Sequence, residues 1–531
     1  MNSGISLNVW DLIVFCGYVA VSVGLGFWVS RNGRQSAQSY FLGDRQLPWY
    51  VVGTSIVATV VSTEHFIAQV GAAYSQGIVV AAFTWNAWIV YTLLVWIFLP
   101  YYMRSGVFTM PEFLERRYSP ALRCLFAVSL ALGYVASIIA GSLYAGGLAI
   151  ESVTGLEIRW GISGLALLTG AYTVYGGLKS AAWTDFLQMI VILAGGLMVP
   201  ILGLIRTGGV LPLIREFPEK FVLFHSPSHP VFPATGVFTG FLSIGLWYNC
   251  ASQHIVQRCL GARDEWHARM GVVAAGFLQI CVPFLFVLPG IIAWKLHPGL
   301  ERPDFAYMTL IQDLIPAGLR GLILAAMAAA LMSTLSSMIN STSTVVTIDL
   351  YRRLLRPDAT ERQQVRVGQW SGALALAAGV GIALYYATLK NSFLFILIQD
   401  VFAYIAPPFA VIFAAGILWR RANATGALAC VVLGLPFSYL LQNVLAPGIN
   451  YLHRALFAWM FCVTVMVTVS LATRAPEAKA VEGMTWNLRY AQLPGELAAR
   501  YSGWRDFRVW WMVFVVAAIA LYTLFFWFGL R

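Results

Sequence analysis

Charge is what this chain has least of. Only 11% of its 531 residues are Asp, Glu, Lys or Arg, where a soluble domain carries about a quarter. With 59% hydrophobic residues, it lacks the polar residues needed to clothe a water-facing surface. No CxxC pair, no Cys/His spacing for a metal and no HExxH segment occur, so neither a metal cluster nor a zinc hydrolase is expected. The seven cysteines, Cys16, Cys124, Cys250, Cys259, Cys281, Cys430 and Cys462, lie in or beside apolar stretches and are expected to be free thiols. Met1–Asp11 has no Lys or Arg. It therefore lacks the basic region of a signal peptide, and the apolar stretch that follows, closed by Arg31 and Arg34, reads as a retained helix.

What is present in excess is long apolar sequence. About 20 apolar residues cross a bilayer as a helix. Such spans fall near 9–30, 48–73, 78–102, 122–150, 158–175, 181–205, 237–257, 270–294, 318–346, 368–388, 391–418, 424–445, 452–472 and 509–530. Fourteen crossings predict an all-α membrane protein with both termini on one side. The segments between spans are short, the longest being about 206–236 and 473–508, so no soluble domain is expected. Phe305–Ile315 reads as a short amphipathic helix at a membrane surface.

The net charge of +11 follows the same layout. Lys and Arg collect in cytoplasmic loops. Arg31, Arg34, Arg45, Arg104, Arg116, Arg117, Arg258, Arg263, Arg269, Arg352, Arg353, Arg420 and Arg421 all fall on one side. The opposite loops carry fewer, among them Arg159, Arg206, Lys220, Lys295 and Arg454. Both termini are thus expected to be extracytoplasmic, and the basic excess is attributed to topology rather than to nucleic acid.

Polar groups inside the spans carry the functional information, because they are costly in hydrocarbon and usually face a cavity. Ser62-Thr63-Glu64-His65 interrupts the second span. Trp247-Tyr248-Asn249 and Ser252-Gln253-His254 interrupt the seventh. These are the first helices of two five-helix blocks, 48–206 and 237–418. The blocks are framed by an extra helix and loop (1–47), a connecting loop (207–236) and flanking helices (419–531). Matched breaks in two halves are the mark of inverted-repeat transporters, which bind solute between them. The ninth span carries Ala330, Ser333, Thr334, Ser336 and Ser337. Ser333, Ser336 and Ser337 share one helix face. Their hydroxyls suit a hard alkali cation, and they equally suit close helix packing.

Tyr175-Gly-Gly-Leu-Lys-Ser-Ala-Ala-Trp-Thr-Asp185-Phe-Leu-Gln188 resembles the sodium/solute symporter family, in particular its sodium–glucose cotransporter branch. So do Tyr40–Arg45, Phe83–Ala87, Met110–Arg116, Gln253–Arg258, Ala330–Thr344 and Asp349–Arg353. The matches run in order from about residue 40 to 420. The resemblance implies a LeuT-like core of five plus five helices in inverted repeat, with the first and sixth core helices broken. It also implies Na⁺-coupled uptake of a solute. By similarity, the main sodium site falls on Ala58, Val61, Ala330, Ser333 and Thr334. A second falls on Asp185, Ser333, Ser336 and Ser337, giving two Na⁺ per solute. Asp185 is open to another role, as a structural carboxylate paired with Lys179 or with backbone amides.

The implied solute site comprises His65, Thr84, Gln279, Gln399 and Tyr248, gated outside by Phe83 and Phe395 and inside by Tyr248. Where the branch has a sugar-binding Glu and a pocket Lys, this chain has Thr84 and Gln279, and Gly245 replaces an Asn or Thr. Loss of both charges together predicts a pocket retuned for a different neutral solute, a sugar or polyol. A carboxylate or amino acid is the alternative, as is a solute sensor on the same fold. His65 is open between a solute ligand and a packed histidine at a helix break. Glu64 and Asp400 receive no assignment. An intramembrane enzyme is not expected, since His65 and His254 lack partners for a metal or a nucleophile, and nothing calls for a prosthetic group. The expected partners are Na⁺, a small solute and lipid.

Overall fold

The computed structural model describes residues 7–31, 36–388 and 394–529. Among these the chain is helical throughout, and its only pairings of extended backbone are two isolated bridges, Leu47 with Ala262 and His225 with Pro233. Ten helical stretches of the described residues are long and apolar enough to cross a membrane.

Several expected spans merge and bend rather than end. The spans at 158–175 and 181–205 form one stretch, Ile158–Thr207, turned at Gly177 where φ is 64°. Only glycine fits there. A Cβ would stand 2.2 Å from the Tyr40 carbonyl, and the left-handed backbone disfavours any other residue. The expected surface helix is found as Ala306–Leu314, with Tyr307, Leu310 and Ile311 buried.

Two interruptions organise the centre. The helix Trp49–Val60 stops at Val61, which is extended at ψ 109°. The sequence explains the stop locally, since Val57, Thr59, Val60, Val61 and Thr63 are β-branched and poor helix formers. Ser62 restarts the helix as a cap: its Oγ accepts from the Glu64 amide at 3.2 Å, while its own amide donates to His65 Nδ1 at 3.3 Å. This is the reciprocal logic of a capping box, with histidine in the position usually held by Glu or Gln. The second interruption follows Ala234–Leu246, where a wide turn over Trp247–Ala251 ends at Ser252, extended at ψ 137°, before Gln253–Leu260 resumes.

Small residues let the helices that carry these breaks approach closely. Trp49–Val60 lies along Glu265–Leu296, and a Cβ on Gly53 would come within 2.7 Å of the Gly271 carbonyl. The hydroxyl-bearing helix Arg320–Val345 lies along Ile158–Thr207 on one side and reaches Trp49–Val60 on another. The first break, the hydroxyl stripe and Asp185 therefore meet in the interior.

Candidate functional site

The break in the first core helix frees backbone carbonyls that an unbroken helix would bond internally. The hydroxyl helix meets them. Ser333 Oγ donates to the Ala58 carbonyl at 2.6 Å and to Ala330 at 2.9 Å. Thr334 Oγ1 lies 3.1 Å from the carbonyls of Thr59 and Ala330 and 3.5 Å from that of Val61. All five residues assigned to the main sodium site thus converge, and Ala58, Ser333 and Ala330 are fully buried. The cluster is five oxygens without a fixed charge. A cation seated there would replace these hydrogen bonds, with each hydroxyl turning a lone pair towards the ion.

The second group is also assembled, but around a residue that sequence reasoning placed elsewhere. Arg258, counted with the cytoplasmic loop charges, is fully buried inside the helix Gln253–Leu260. Its guanidinium bonds Ser337 Oγ directly, donates to Ser55 Oγ at 2.8 Å and lies 3.4 Å from Asp185 Oδ2. Asp185 accepts from Ser55 at 2.5 Å and from Ser336 at 3.4 Å. Ser337 Oγ also lies 2.7 Å from Thr59 Oγ1. The partner suggested for Asp185, Lys179, is not the one found. Lys179 lies beside the bend at Gly177, where its backbone faces Gly43, whereas Arg258 arrives from the second broken helix. The signal was present in Gln253–Arg258, because Arg258 falls within two helical turns of the break at Ser252, in the helix that resumes there. Arg269 and Arg117, also counted as loop charges, are likewise buried. Arg269 bonds Glu265 and the carbonyls of Tyr490 and Ala491 at 2.6 and 2.7 Å, and Arg117 bonds those of Gly416 and Trp419.

Beside this oxygen cluster opens a cavity of about 170 Å³ lined by both broken helices. Thr59 and Thr334 belong to its wall, so the two sites share a boundary. His65, Thr84, Gln279 and Tyr248, all expected solute-site residues, line it, as do Gly245 and Phe83, the latter expected as an outer gate. His65 accepts from Ser62 on Nδ1, which leaves Nε2 to carry the proton and to act as a donor. Gln69 Nε2 donates to Thr84 Oγ1 at 3.3 Å. Phe83 packs edge-on against Phe241 at 4.4 Å and Phe232 at 5.3 Å. Tyr248 packs against His254 at 4.7 Å and Phe402 at 5.7 Å. Gln399 and Phe395 lie outside the residues whose side chains are described. Asn249, part of the interruption noted in the seventh span, also lines the cavity, as do Gln69 and Ser142, which sequence reasoning did not pick out. Gln69 falls about one turn after His65, and that spacing was the available clue.

Comparison with known proteins agrees with this arrangement. The sodium:solute symporter family model matches residues 40–434. A sodium/glucose cotransporter of Vibrio parahaemolyticus is 33% identical over 88% of this chain and 91% of its own length. A sodium/mannose cotransporter of Bos taurus is 32% identical over 94% of each, and a sodium/myo-inositol cotransporter of Mus musculus is 32% identical over 91% of this chain and 80% of its own. Among solved structures, a substrate-bound, outward-open Na⁺-coupled sialic acid symporter superposes with a TM-score of 0.80 at 22% identity, covering 89% of this chain and all of that one. That likeness fixes the LeuT-like fold, and the matches of sequence, which span nearly the whole chain, place it by descent: the chain belongs to the sodium:solute symporter family, whose members are membrane transporters and not enzymes.

Proposed function

We propose that this protein imports a small neutral polyhydroxy solute, a sugar or polyol, by Na⁺-coupled alternating access across a cell membrane, with both termini outside. The single observation that carries the reading is the convergence of the Ala58 and Val61 carbonyls on Ser333 and Thr334 at the edge of the cavity. An ion held there joins the first broken helix to the hydroxyl helix. It favours whichever state has these two elements together, and this differential affinity is what lets a Na⁺ gradient drive uptake. The cavity beside it suits a sugar ring, with aromatic faces at Phe83 and Tyr248 and polar groups at His65, Thr84 and Gln279. The gates are assigned to Phe83 and Phe395 outside and Tyr248 inside, with Gln399 as a further solute ligand.

The second ion requires more. Asp185 is already paired with Arg258, so a second Na⁺ at Asp185, Ser333, Ser336 and Ser337 enters only in a state where the guanidinium has withdrawn. Two ions per solute then make Arg258 part of the coupling. The test is uptake into proteoliposomes, with a Na⁺ gradient and with K⁺ in its place, counting ²²Na⁺ per solute. Uptake that ignores Na⁺ overturns the symport reading. A ratio of one that is insensitive to Ser336→Ala removes the second ion.

A further inference from the structure

Glu64 is the one Asp, Glu, Lys or Arg among the described residues that line the cavity, and the ion cluster makes no use of it. It sits in the first turn of the helix that restarts after the break. Its amide is held by Ser62 Oγ at 3.2 Å. Its carboxylate has neither a hydrogen-bond nor an ion-pair partner among the described residues. A charged group without a partner at membrane depth is expensive, and a position near a helix N-terminus offsets only a small part of that cost.

The polar groups around it are unspent in the same sense. Gln279 Oε1 and Gln69 Oε1 are buried without partners, while Gln69 uses its amide donor on Thr84. The cavity thus offers several acceptors, donors at the His65 imidazole, the Gln279 amide and the Tyr248 and Ser142 hydroxyls, and no Lys or Arg among the described lining residues. With no cation among them to neutralise Glu64, an occupant that satisfies its carboxylate brings hydrogen-bond donors.

Resting on the symport reading above, we propose that Glu64 anchors the solute. Its two oxygens accept from neighbouring hydroxyls of a polyhydroxy compound, and its charge turns away solutes that carry a carboxylate. Bonds to an ionised acceptor are roughly twice as strong as neutral ones, so one carboxylate in an otherwise neutral pocket dominates recognition. An amino-polyol, whose ammonium meets Glu64 as an ion pair, draws on the same acceptor chemistry.

Because the unpaired charge costs stability until a solute arrives, replacing it has effects of opposite sign in the empty and loaded protein. The test is thermal unfolding of the full-length protein in detergent, wild type against E64Q, in NaCl and in KCl. The probes are D-glucose, 2-deoxy-D-glucose, 3-deoxy-D-glucose, myo-inositol, D-glucosamine and N-acetylneuraminate. E64Q is expected to leave the empty protein as stable or more stable and to keep the stabilisation by NaCl over KCl. The half-stabilising concentration of the best polyol or amino-polyol probe is expected to rise about 5- to 50-fold, the difference between a charged and a neutral acceptor.

A deoxy sugar lacking the anchored hydroxyl is expected to bind the wild type more weakly than glucose and E64Q about equally, as two changes to one contact are not additive. A myo-inositol or glucosamine preference tells which donor Glu64 holds. The proposal is overturned if E64Q loses stability or fails to fold, if probe affinity is unchanged, if N-acetylneuraminate stabilises best, or if no polyol or amino-polyol stabilises the wild type. Absence of a NaCl effect in the wild type sinks Na⁺ coupling instead, and is scored separately from the E64Q comparison.

Discussion

Ser333 is the most telling hydroxyl to remove, because it is central to the main ion cluster and is shared with the second; Thr334, which belongs to the main cluster alone, separates the two. Ser333→Ala keeps the helix, removes one of the five oxygens contributed by Ala58, Val61, Ala330, Ser333 and Thr334, and leaves the carbonyls of Ala58 and Ala330 without the donor now at 2.6 and 2.9 Å. In the empty protein this costs about 1 kcal/mol, the net worth of a neutral hydrogen bond, since no charge is involved and the Ala330 carbonyl keeps Thr334 as a donor. With the ion bound, the lost contact is to a full charge and is worth about 1.5–3 kcal/mol; the excess over the empty protein, about 0.5–2 kcal/mol, raises the Na⁺ concentration for half-maximal response about 2- to 30-fold. Thr334→Val, nearly equal in volume, is expected to act in the same direction. The assay is the Na⁺ dependence of thermal stability in detergent, repeated as the Na⁺ dependence of uptake in proteoliposomes. Wild-type Na⁺ dependence in both variants, with the fold intact, refutes the assignment of the ion to this cluster.

Removing Arg258 strands Asp185 in the interior, so Arg258→Met is expected to cost about 3–5 kcal/mol, the usual penalty for breaking a buried pair. The double change Asp185→Asn/Arg258→Met is expected to recover much of it, and thermal midpoints that simply add would count against the pairing. Phe83→Ala removes the edge-on contacts to Phe241 and Phe232. It is expected to raise the solute concentration for half-maximal uptake several-fold with little change in Na⁺ dependence; an unaltered solute response argues against Phe83 as the outer gate.

His225, in the loop that leads to Phe232, is held below its ordinary pKa by burial and then by the stacked His229 ring at 4.2 Å. A histidine favoured neutral in the fold contributes stability fully above its unfolded value, about 6.5, and loses it as pH falls towards the depressed folded value. Protection factors in 222–233, taken relative to the intrinsic exchange rate at each pH, should therefore fall on going from about pH 7.5 to about pH 5.5, and fall less in His225→Gln; an equal fall in both would dissociate the loop from this residue.

The interior positions divide into those a linear reading reaches and those it does not. Ser333, Ser336 and Ser337 share a face because helical spacing puts them there, and the break at Ser62 is written in a run of β-branched residues followed by a cap. These depend on neighbours within one turn, and the sequence holds all of that information. The expected spans at 158–175 and 181–205, found as one bent stretch, show the boundary. Their apolar content was plain, whereas the turn at Gly177 depends on the Tyr40 carbonyl, which lies far away in the chain.

Arg258 marks the same boundary in the site. Its position after apolar sequence resembled that of any cytoplasmic arginine, and its burial follows from Asp185 and Ser55, 73 and 203 residues away in sequence. Glu64 is the reverse case, an acid that received no assignment from the sequence and that lines the cavity.

By itself the amino-acid sequence determined that the chain is a bundle of membrane-crossing helices, where two of them break and which oxygens they bear, because each follows from hydropathy, propensity and spacing over a few residues. Which charge neutralises which, and which polar groups are left for an ion or a solute, was decided only when helices remote in the chain packed together. Coulomb and hydrogen-bond energies depend on distances in space, and those distances are set by packing.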